Sequence, residues 1–340
     1  MAKILKGAAF GTGFWSKYQI SGWHEIEGVR ITALYNRTPE RAHTMANHFG
    51  IDACHVYSDP KTLLENEDID FIDIITNAET HNTLTKLAAS YKKDVVCQKP
   101  MAASYKEAQD MCESCATAGV KLFINENFRF QAPVRRAKEI LESGVLGTVY
   151  KAHVDFCSGF PVFENQPFLK EIERFILIDI GTHVLDVSRF LLGEAKTVFC
   201  RIKRVNPTIK GEDVANVFME MESGAHCICE MSYASIVEDE AFPQPTLYIE
   251  GDRGSLRLSA HGAIKVTTRK GVIRETVIPT MYDWVDPAYL VTHSSIVDAQ
   301  RNIAQGLNGG LAETTGDDNL KTLRLVYACY DSLGCGLVKV

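Results

Sequence analysis

The stretch Val95-Val96-Cys97-Gln98-Lys99-Pro100 has the pattern of a short apolar strand that ends in a lysine. Valine favours the extended backbone of a strand, and the proline that follows cannot donate a hydrogen bond to a sheet ladder. Strands of a parallel sheet deliver their last residues to the carboxyl edge, where such sheets bind their ligands. We therefore expect Lys99 to point into a cleft, with a plain surface lysine at a strand end as the alternative.

The segments around this stretch alternate between β-like runs and amphipathic helical runs. In the first 127 residues the predicted strands are Lys3–Phe10, Val29–Tyr35, Phe71–Thr76, Val95–Gln98 and Lys121–Asn125. Such alternation predicts a parallel sheet with helices on both faces. We expect this first domain to span residues 1–127.

From residue 128 onward the predicted strands follow one another in series. They are Val149–Phe156, Thr197–Val205, Ala215–Met221, Ala225–Tyr233, Thr246–Glu250 and Ser255–Ser259. Short connections between consecutive strands favour a largely antiparallel sheet. Two helices, Tyr289–Gln305 and Asp317–Leu333, are predicted near the end of this second domain, residues 128–340. A sheet with an uncovered apolar face favours a partner subunit, so we expect an oligomer.

The composition excludes several classes of protein. The 340 residues are 46% hydrophobic and 23% charged, which fits two soluble domains with sizeable cores. A net charge of −7 without a basic block argues against nucleic acid as a partner. No apolar run approaches the roughly 20 residues that a membrane span needs, and the N-terminal residues lack the apolar region of a signal peptide. We expect a cytoplasmic protein without a membrane partner.

The ten cysteines fit a reducing compartment, where they stay thiols. Cys112 and Cys115 form a C-x-x-C pair, but they fall inside a helical pattern and have no second pair at the spacing of a zinc site. Cys227 and Cys229 alternate along a predicted strand, as small core residues do. No two histidines are four residues apart, and we predict no metal site.

A glycine-containing turn, Gly11-Thr12-Gly13-Phe14-Trp15-Ser16, follows the first predicted strand and opens the first helix. Glycines in this position permit a tight turn and let the backbone approach a pyrophosphate at a helix N-terminus, where the dipole favours negative charge. Ser16 stands where a third glycine is usual, so the fingerprint is incomplete. Its position after the first strand of a βαβ pattern still predicts a dinucleotide site.

The end of the second predicted strand bears on the choice of dinucleotide. An NAD site usually carries Asp or Glu there, to bond the ribose hydroxyls. This chain has Tyr35-Asn36-Arg37-Thr38 instead. Without a carboxylate to repel a 2′-phosphate, and with Arg37 available to pair with one, NADP is favoured. The alternative is that Asn36 bonds a plain ribose and Arg37 is solvated at a helix entry.

A polar turn, Thr76-Asn77-Ala78-Glu79-Thr80-His81, follows the third predicted strand, at the sheet edge where a nicotinamide ribose would lie. We expect Thr80 to cap the next helix. His81 either faces the cofactor or sits in the first turn of that helix.

In the second half, Ile178–Asp186 has the pattern of one helix with three polar residues on one face. Asp179 and His183 are four residues apart, and Asp186 follows three residues later. A carboxylate beside an imidazole fixes its tautomer and stabilises its protonated form, as a general base requires. The alternative is a capping Asp179 with a structural histidine, and both descriptions can hold together.

These motifs, together with Asn127-Phe128-Arg129-Phe130, occur in the order and approximate spacing of the Gfo/Idh/MocA oxidoreductases, the glucose-fructose oxidoreductase and inositol dehydrogenase family. The resemblance extends over essentially the whole chain. Three departures concern cofactor contacts more than chemistry: Gln98 replaces the glutamate of the E-K-P motif, Asn77-Ala78 lies where a T-P pair is common, and Ser16 replaces glycine.

The resemblance implies an α/β N-terminal Rossmann domain with a doubly wound parallel sheet, followed by an α+β domain with an open, mostly antiparallel sheet for substrate binding and oligomerisation. It implies that Lys99, Asp179 and His183 are catalytic and, with Arg129, bind substrate. The cofactor, NAD or NADP, would be bound by Gly11, Thr12, Gly13, Phe14, Trp15, Asn36, Arg37, Thr76, Asn77, His81, Gln98, Lys99 and Asn127. Phe128 and Phe130 are expected in the core.

The same resemblance implies hydride transfer between a nicotinamide and the CH–OH carbon of a sugar or polyol. The Gln98-Lys99-Pro100-Met101 stretch and the residues around Arg129 are most similar to a branch that oxidises pentoses such as D-apiose to a lactone. Inositol or hexose oxidation is the near alternative, and an NAD-dependent glycoside hydrolase or a non-catalytic NAD(P)-bound regulator are alternatives of another class. The expected assembly is a homodimer or homotetramer.

Overall fold

The structure is a computed structural model that describes residues 4–240 and 242–340, apart from the side chain of Asn165. Lys3, with which the first predicted strand begins, lies outside the described residues. The chain forms two compact units. The first comprises residues 1–126, 282–285 and 296–321, and the second comprises residues 127–281, 286–295 and 322–340. The first segment of the first unit ends at residue 126, within one residue of the predicted boundary at 127. Residues 282–285 and 296–321, which the sequence assigned to the second domain, belong to the first unit.

The first unit contains a sheet of parallel strands with the order β3-β2-β1-β4-β5-β6. Its strands are β1 (Leu5–Phe10), β2 (Val29–Tyr35), β3 (Val56–Tyr57), β4 (Phe71–Ile74), β5 (Asp94–Gln98) and β6 (Leu122–Asn125). The connecting helices are α1 (Ser16–His24), α2 (Pro39–Phe49), α3 (Pro60–Asn66), α4 (Ala78–Ser90) and α5 (Tyr105–Ala118). The predicted doubly wound parallel sheet is confirmed.

Strands β4 and β6 are buried on both faces, as expected for a doubly wound sheet with helices on both faces. All four residues of β4 and of β6 are buried. Trp23 of α1 packs its ring against Phe71 of β4, with ring centroids 5.0 Å apart. This packing holds α1, and with it the glycine turn at its start, against the sheet.

The second unit contains a sheet with the order β14-β13-β12-β11-β7-β10-β9-β8-β15. Its strands are β7 (Val149–Cys157), β8 (Ala195–Lys203), β9 (Val214–Met221), β10 (His226–Ser232), β11 (Thr246–Gly251), β12 (Gly254–Ser259), β13 (Ala263–Thr268), β14 (Gly271–Thr276) and β15 (Val338–Lys339). Strands β7 and β10 pair in parallel and the other pairs are antiparallel, which confirms a mostly antiparallel sheet.

The second half of the chain contains the helices α6 (Ala132–Glu142), α7 (Val162–Asn165), α8 (Ile176–Asp179), α9 (Gly181–Leu192), α10 (Leu290–Leu307) and α11 (Gly316–Cys335). Residues of α6, α8, α9 and α11 share one apolar core with the strands of the second sheet. Val217 and Met219 of β9 point inward into the apolar core, while the alternate residues Asn216 and Phe218 do not. The alternation follows the period of two that a sheet covered on one face requires.

The sequence missed β3, β13, β14 and β15. Strands β3 and β15 have two residues each, too few to show a pattern. Strand β14 carries Val272 and Ile273 side by side, both exposed, so the alternation that reveals a half-buried strand is absent. Strand β4 stops at Ile74, two residues before the predicted end.

Across the described residues, we find no helix with the length and apolar character of a membrane span.

Candidate active site

The glycine turn follows β1 and leads into α1. Gly11 has φ +109°, and a Cβ there would lie 2.7 Å from the Ile75 carbonyl oxygen, so only glycine fits. A Cβ at Gly13 would meet no atom within 4 Å, which leaves this position open to a ligand. The turn thus leaves room at the N-terminus of α1, where a pyrophosphate binds favourably. In the same turn Thr12 is buried, while Phe14 is exposed and packs edge-to-face on Tyr18.

Ser16 replaces the third glycine of the fingerprint without disturbing the turn. It is fully buried, and its hydroxyl donates a 2.6 Å hydrogen bond to the Gly13 carbonyl. The side chain folds back onto the turn instead of occupying the space in front of it. The departure from the fingerprint is therefore compatible with a dinucleotide site.

Asn36 links the end of β2 to the glycine turn. Its Nδ2 donates to the Thr12 hydroxyl at 2.6 Å, and its Oδ1 accepts from the Thr38 amide at 2.8 Å. Arg37 beside it is exposed. A neutral amide and a guanidinium thus occupy the place where a carboxylate would face a ribose.

The polar turn after β4 differs from the prediction in one respect. Asn77 occupies the N-cap position of α4, and Thr80 lies inside the first turn of the helix. The Thr80 hydroxyl hydrogen-bonds to the Thr76 hydroxyl at 2.7 Å and to the Asn77 carbonyl at 2.8 Å. The prediction of Thr80 as the cap was wrong because the backbone turns into the helix three residues earlier.

His81 holds this turn and the lysine loop together. It is 1% exposed, and its ring nitrogens lie 3.0–3.2 Å from the carbonyl oxygens of Thr76, Pro100 and Met101. Burial lowers the pKa of the imidazole. Main-chain oxygens thus surround the ring, and His81 lies buried in the first turn of α4.

Lys99 follows the last residue of β5 and is half-buried. Its backbone N–H donates to the side-chain oxygen of Gln98 at 2.8 Å, and its peptide bond to Pro100 is cis. Since β4 and β5 are neighbouring parallel strands, the lysine and the Thr76 turn emerge at the same edge of the sheet. The predicted location of Lys99 at the carboxyl edge is confirmed.

In the second unit, Asp179 and His183 lie on two helical segments, whereas the sequence predicted one. Helix α8 ends at Asp179 and α9 begins at Gly181, with Ile180 between them. Asp179 makes no side-chain cap for α9, whose N-cap is Ile180. The prediction of one continuous helix was wrong. The apolar residues keep the helical period of 3.6 on both sides of Ile180, so the sequence pattern does not show that the helix is interrupted there.

The His183 imidazole is almost fully buried and stacks on the Phe128 ring, with centroids 3.9 Å apart and planes 9° from parallel. The Asp179 carboxylate accepts a 3.1 Å hydrogen bond from the Tyr233 hydroxyl. Aromatic contact fixes the plane of the base, and the tyrosine fixes the carboxylate. This part of the chain supplies an oriented imidazole and a held carboxylate.

Tyr233 is the site residue that the sequence missed. Burial, and then the neighbouring Asp179 carboxylate, raise the pKa of its hydroxyl well above the usual range, so it stays a donor. The sequence placed Tyr233 at the end of a predicted strand. Nothing in that pattern pairs it with a carboxylate 54 residues earlier.

Asp186 and Arg129 form a separate structural pair. The guanidinium donates to both carboxylate oxygens, at 2.7 and 2.5 Å, and the Thr322 hydroxyl donates to the same carboxylate at 3.0 Å. The side chains of Arg129 and Asp186 are 5% and 0% exposed. Asp186 follows His183 by three residues on α9, as the spacing predicts, and its carboxylate forms a buried ion pair with the Arg129 guanidinium.

Asn127 is buried and donates to the Thr292 carbonyl at 3.2 Å and to the Ser295 hydroxyl at 2.8 Å. Phe128 and Phe130 are buried, as predicted. These bonds occupy the amide of Asn127 within its own unit.

Comparison with protein families gives two matches. Residues 5–126 match the model described as an oxidoreductase family with an NAD-binding Rossmann fold, and residues 134–257 match the GFO/IDH/MocA C-terminal domain. The first match spans nearly all of the first predicted domain, and the second match spans residues 134–257 of the second.

Among curated proteins, the chain is 39% identical to a D-apiose dehydrogenase of Rhizobium rhizogenes, over 98% of this chain and 96% of that protein. It is 40% identical to a D-apiose dehydrogenase of Paraburkholderia graminis, over 96% of this chain and 87% of that protein. Among solved structures, an oxidoreductase of Agrobacterium radiobacter in complex with NAD+, L-tartaric acid and magnesium has a TM-score of 0.96 and 38% identity, covering 99% and 98% of the two chains.

The relatives match this chain over nearly its whole length. The matched length includes the turn at Gly11, the lysine at the edge of the parallel sheet, and the segment from Asp179 to His183. The chain belongs to the Gfo/Idh/MocA oxidoreductase family and carries that family's NAD-binding Rossmann domain.

Proposed function

We propose that this oxidoreductase is an NAD(P)-dependent sugar dehydrogenase that oxidises a pentose such as D-apiose at its anomeric carbon to the lactone. The observation that carries the proposal is the buried His183 imidazole, which stacks on Phe128 and follows by four residues the carboxylate of Asp179 that Tyr233 holds. Oxidation of a sugar C–OH group needs such a base, because the hydroxyl proton must leave when the carbon gives up its hydride. The names of the two relatives near 40% identity support D-apiose as the sugar.

His183 takes the hydroxyl proton in this proposal. Asp179 stabilises the imidazolium that forms, because a nearby carboxylate favours the charged form of the imidazole. Tyr233 holds Asp179 by donating its hydroxyl hydrogen. Phe128 keeps the imidazole ring in one plane, so the ring nitrogens keep their directions.

Lys99 stabilises the negative charge that develops on the substrate oxygen as the proton leaves. A bound nicotinamide would supply the acceptor for the hydride that leaves the carbon bearing this oxygen. The glycine turn fits the cofactor, because Gly11 permits the tight turn beside Ile75 and Gly13 leaves the space at the start of α1 without a Cβ. Thr12 and Asn36, joined by their hydrogen bond, would face the adenosine ribose.

The outer face of the second sheet supports self-association. A row of cross-strand neighbours runs across β8, β9, β10, β7 and β11 and consists of Phe199, Phe218, Ile228, His153 and Tyr248. Phe218 is 38% exposed. Since exposed apolar rows on a sheet face favour burial against a second copy, we propose that this face forms a homo-oligomer.

The substrate proposal is tested by a screen of free pentoses, hexoses and inositols with NAD and with NADP, following absorbance of the reduced nicotinamide. We expect D-apiose to give the highest kcat/KM, with lactone formed in equal amount to reduced cofactor. A higher kcat/KM for an inositol or a hexose would contradict the substrate proposal. Cleavage of a glycoside without net cofactor reduction would contradict the reaction itself.

Lys99→Ala and His183→Ala should each lower kcat while binding of the reduced cofactor, measured by its fluorescence, survives. Loss of one pre-placed charge-stabilising group costs about 10²- to 10³-fold in rate, and loss of a general base costs about 10²- to 10⁴-fold. Lys61→Ala and His43→Ala, at exposed positions of the same chain, serve as matched controls and should retain full turnover. Near-full turnover of either site variant would remove that residue from the mechanism.

Asn36→Asp should shift cofactor preference toward NAD. The new carboxylate can still bond the Thr12 hydroxyl as an acceptor, but it repels a 2′-phosphate. We expect kcat/KM with NADP to fall by about tenfold relative to that with NAD, a difference of about 1.4 kcal/mol. Asn66→Asp, at an exposed helix end, is the control. An unchanged NADP/NAD ratio would show that Asn36 does not face the ribose.

Phe218→Asp should lower the native mass toward that of one chain, because a carboxylate placed in the aromatic row loses its hydration at the interface. Phe168→Asp is the matched control, since Phe168 is 60% exposed and lies in the short turn after α7. Light scattering after size exclusion measures both masses. A monomeric wild-type protein, or an unchanged mass of the Phe218 variant, would refute the proposed interface.

A further inference from the structure

Three consecutive residues of the second unit, Gly211-Glu212-Asp213, contact both the helix that carries Asp179 and the tyrosine that holds its carboxylate. We name them the Glu212 segment. The helix is α8, which ends at Asp179, and the tyrosine is Tyr233. Although two of the three residues are acidic, Glu212 and Asp213 are only 5% and 1% exposed. Buried polar groups are hydrogen-bonded as a rule, so their partners indicate what the segment does.

Glu212 contacts the beginning of α8 with its main chain and with its side chain. Its carbonyl oxygen accepts from the Ile176 N–H at 3.1 Å, and its Oε1 accepts from the Leu177 N–H at 3.5 Å. The first N–H groups of a helix have no partner inside the helix, and these bonds supply partners for two of them. Glu212 thus holds the start of a helix of only four residues, whose last residue is Asp179.

Tyr330 of α11 holds the side chain of Glu212. The tyrosine hydroxyl donates to the same Oε1 at 2.6 Å. Burial, and then the Glu212 carboxylate, raise the pKa of this hydroxyl far above its usual range, so it keeps its proton and stays a donor. The carboxylate oxygen that contacts α8 therefore cannot turn away without losing a short hydrogen bond.

Asp213 connects the Glu212 segment to Tyr233. The Asp213 carbonyl oxygen accepts from the Tyr233 N–H at 2.9 Å. The Asp213 carboxylate accepts from the N–H groups of Val205 and Asn206, in the loop after β8, at 2.6 and 2.9 Å. The main chain of Tyr233 is thus bonded to the residue next to Glu212, and that residue is itself held from the other side.

Gly211 permits the Glu212 segment to lie against the chain that precedes α8. A Cβ at position 211 would lie 2.6 Å from the Ile172 carbonyl oxygen and 2.9 Å from the Glu173 carbonyl oxygen. Glycine is the residue that allows two backbones to approach so closely. The distance between the segment and the chain that enters α8 is therefore set by main-chain contact.

Hydrogen bonds and main chain together form a closed ring around this part of the second unit. The residues at which the ring passes from one segment to the next are Asp179, Ile176, Glu212, Asp213 and Tyr233, whose hydroxyl returns to Asp179. A closed ring fixes α8 relative to Tyr233, because neither can move without breaking one of its bonds.

We propose that Glu212 is a positioning residue for Asp179. The Glu212 side chain, held by Tyr330, keeps α8 where the Asp179 carboxylate meets the Tyr233 hydroxyl. The proposal rests on the proposed function, in which Asp179 stabilises the imidazolium of His183. A displaced α8 would move the carboxylate away from its place beside the imidazole.

Glu212→Met tests the proposal, because it removes the acceptor oxygens and keeps a side chain of similar length. We expect kcat to fall about tenfold, since displacing a catalytic group by 1 Å costs up to about 10²-fold. The KM for the cofactor should stay unchanged, because the glycine turn belongs to the first unit. The acid limb of kcat against pH should move to lower pH, because an imidazole without a carboxylate neighbour is a weaker base. A loss by the same factor at every pH would overturn the proposal.

Glu212→Gln is the conservative variant. Its amide oxygen can accept from the Tyr330 hydroxyl and the Leu177 N–H as the carboxylate oxygen does. We expect kcat within about threefold of wild type, with the acid limb at its wild-type pH, since the acceptor is retained. A loss as large as that of Glu212→Met would contradict positioning by these bonds.

Glu67→Met is the matched control in the first unit. Glu67 Oε1 accepts from the Tyr57 hydroxyl at 2.6 Å, the same distance as between Glu212 and Tyr330. This variant breaks an equivalent tyrosine–glutamate bond and should leave kcat and its pH profile unchanged. The same loss and the same shift in Glu67→Met would show a general effect of such bonds on the protein and overturn the proposal.

A double-variant cycle separates positioning from general damage to the fold. In the Asp179→Ala protein, adding Glu212→Met should lower kcat by less than about twofold, because the group that Glu212 positions is absent. A tenfold loss in both backgrounds would refute the proposal. Thermal unfolding reports whether each variant folds. If Glu212→Met does not fold, Tyr330→Phe, which removes one hydroxyl, must shift the acid limb in the same direction, and no shift would refute the proposal.

The Asp179→Ala variant alone distinguishes the two possible failures. If it retains full turnover, the catalytic role of Asp179 in the proposed function fails, and the positioning proposal fails with it. If Asp179→Ala loses turnover while a folded Glu212→Met does not, the positioning proposal alone fails.

Discussion

The parallel alignment of the first sheet is the constraint on which the candidate site depends. Neighbouring parallel strands end at the same edge, and β1, β4 and β5 are neighbours. The glycine turn, the Thr76 turn and Lys99 therefore emerge side by side although they are far apart in sequence. Backbone bonds extend the ladder into the turns: Gly11 donates to the Tyr35 carbonyl and Ile75 to the Phe10 carbonyl, each at 2.8–2.9 Å. The turns thus begin at fixed points, which an open loop would not provide.

The features that the sequence predicts well are those written in local patterns. Strand β2, Val29–Tyr35, has its predicted bounds, and the glycine turn lies where a tight turn was expected. The choice among adjacent polar residues is not local in this way. Whether Thr80 or Asn77 caps α4 depends on where the backbone turns, and the break at Ile180 lies inside an uninterrupted apolar pattern. Both errors concern backbone angles, to which residue periodicity is insensitive.

Long-range polar pairs account for the remaining difference between prediction and structure. Asp186 follows His183 by three residues on α9, and its carboxylate binds Arg129, 57 residues earlier. A buried charge requires a partner because desolvation costs several kcal/mol per ion, and the bidentate guanidinium supplies one. The sequence shows which residues carry charge, whereas the fold determines which of these residues are buried together as ion pairs.

The end of β5 leaves one backbone group outside the sheet ladder. Gln98 is the last residue of β5 to pair with β6, where it lies opposite Asn125, so the N–H of Lys99 falls beyond the ladder. A backbone N–H that is removed from water needs an acceptor, and Gln98 supplies one from its own side chain at 2.8 Å. This bond orients the Gln98 amide, because the oxygen accepts from Lys99 and the Nε2 donates to Gln19 Oε1 at 3.2 Å. The strand end from which Lys99 leaves the sheet is thus held by a buried polar side chain.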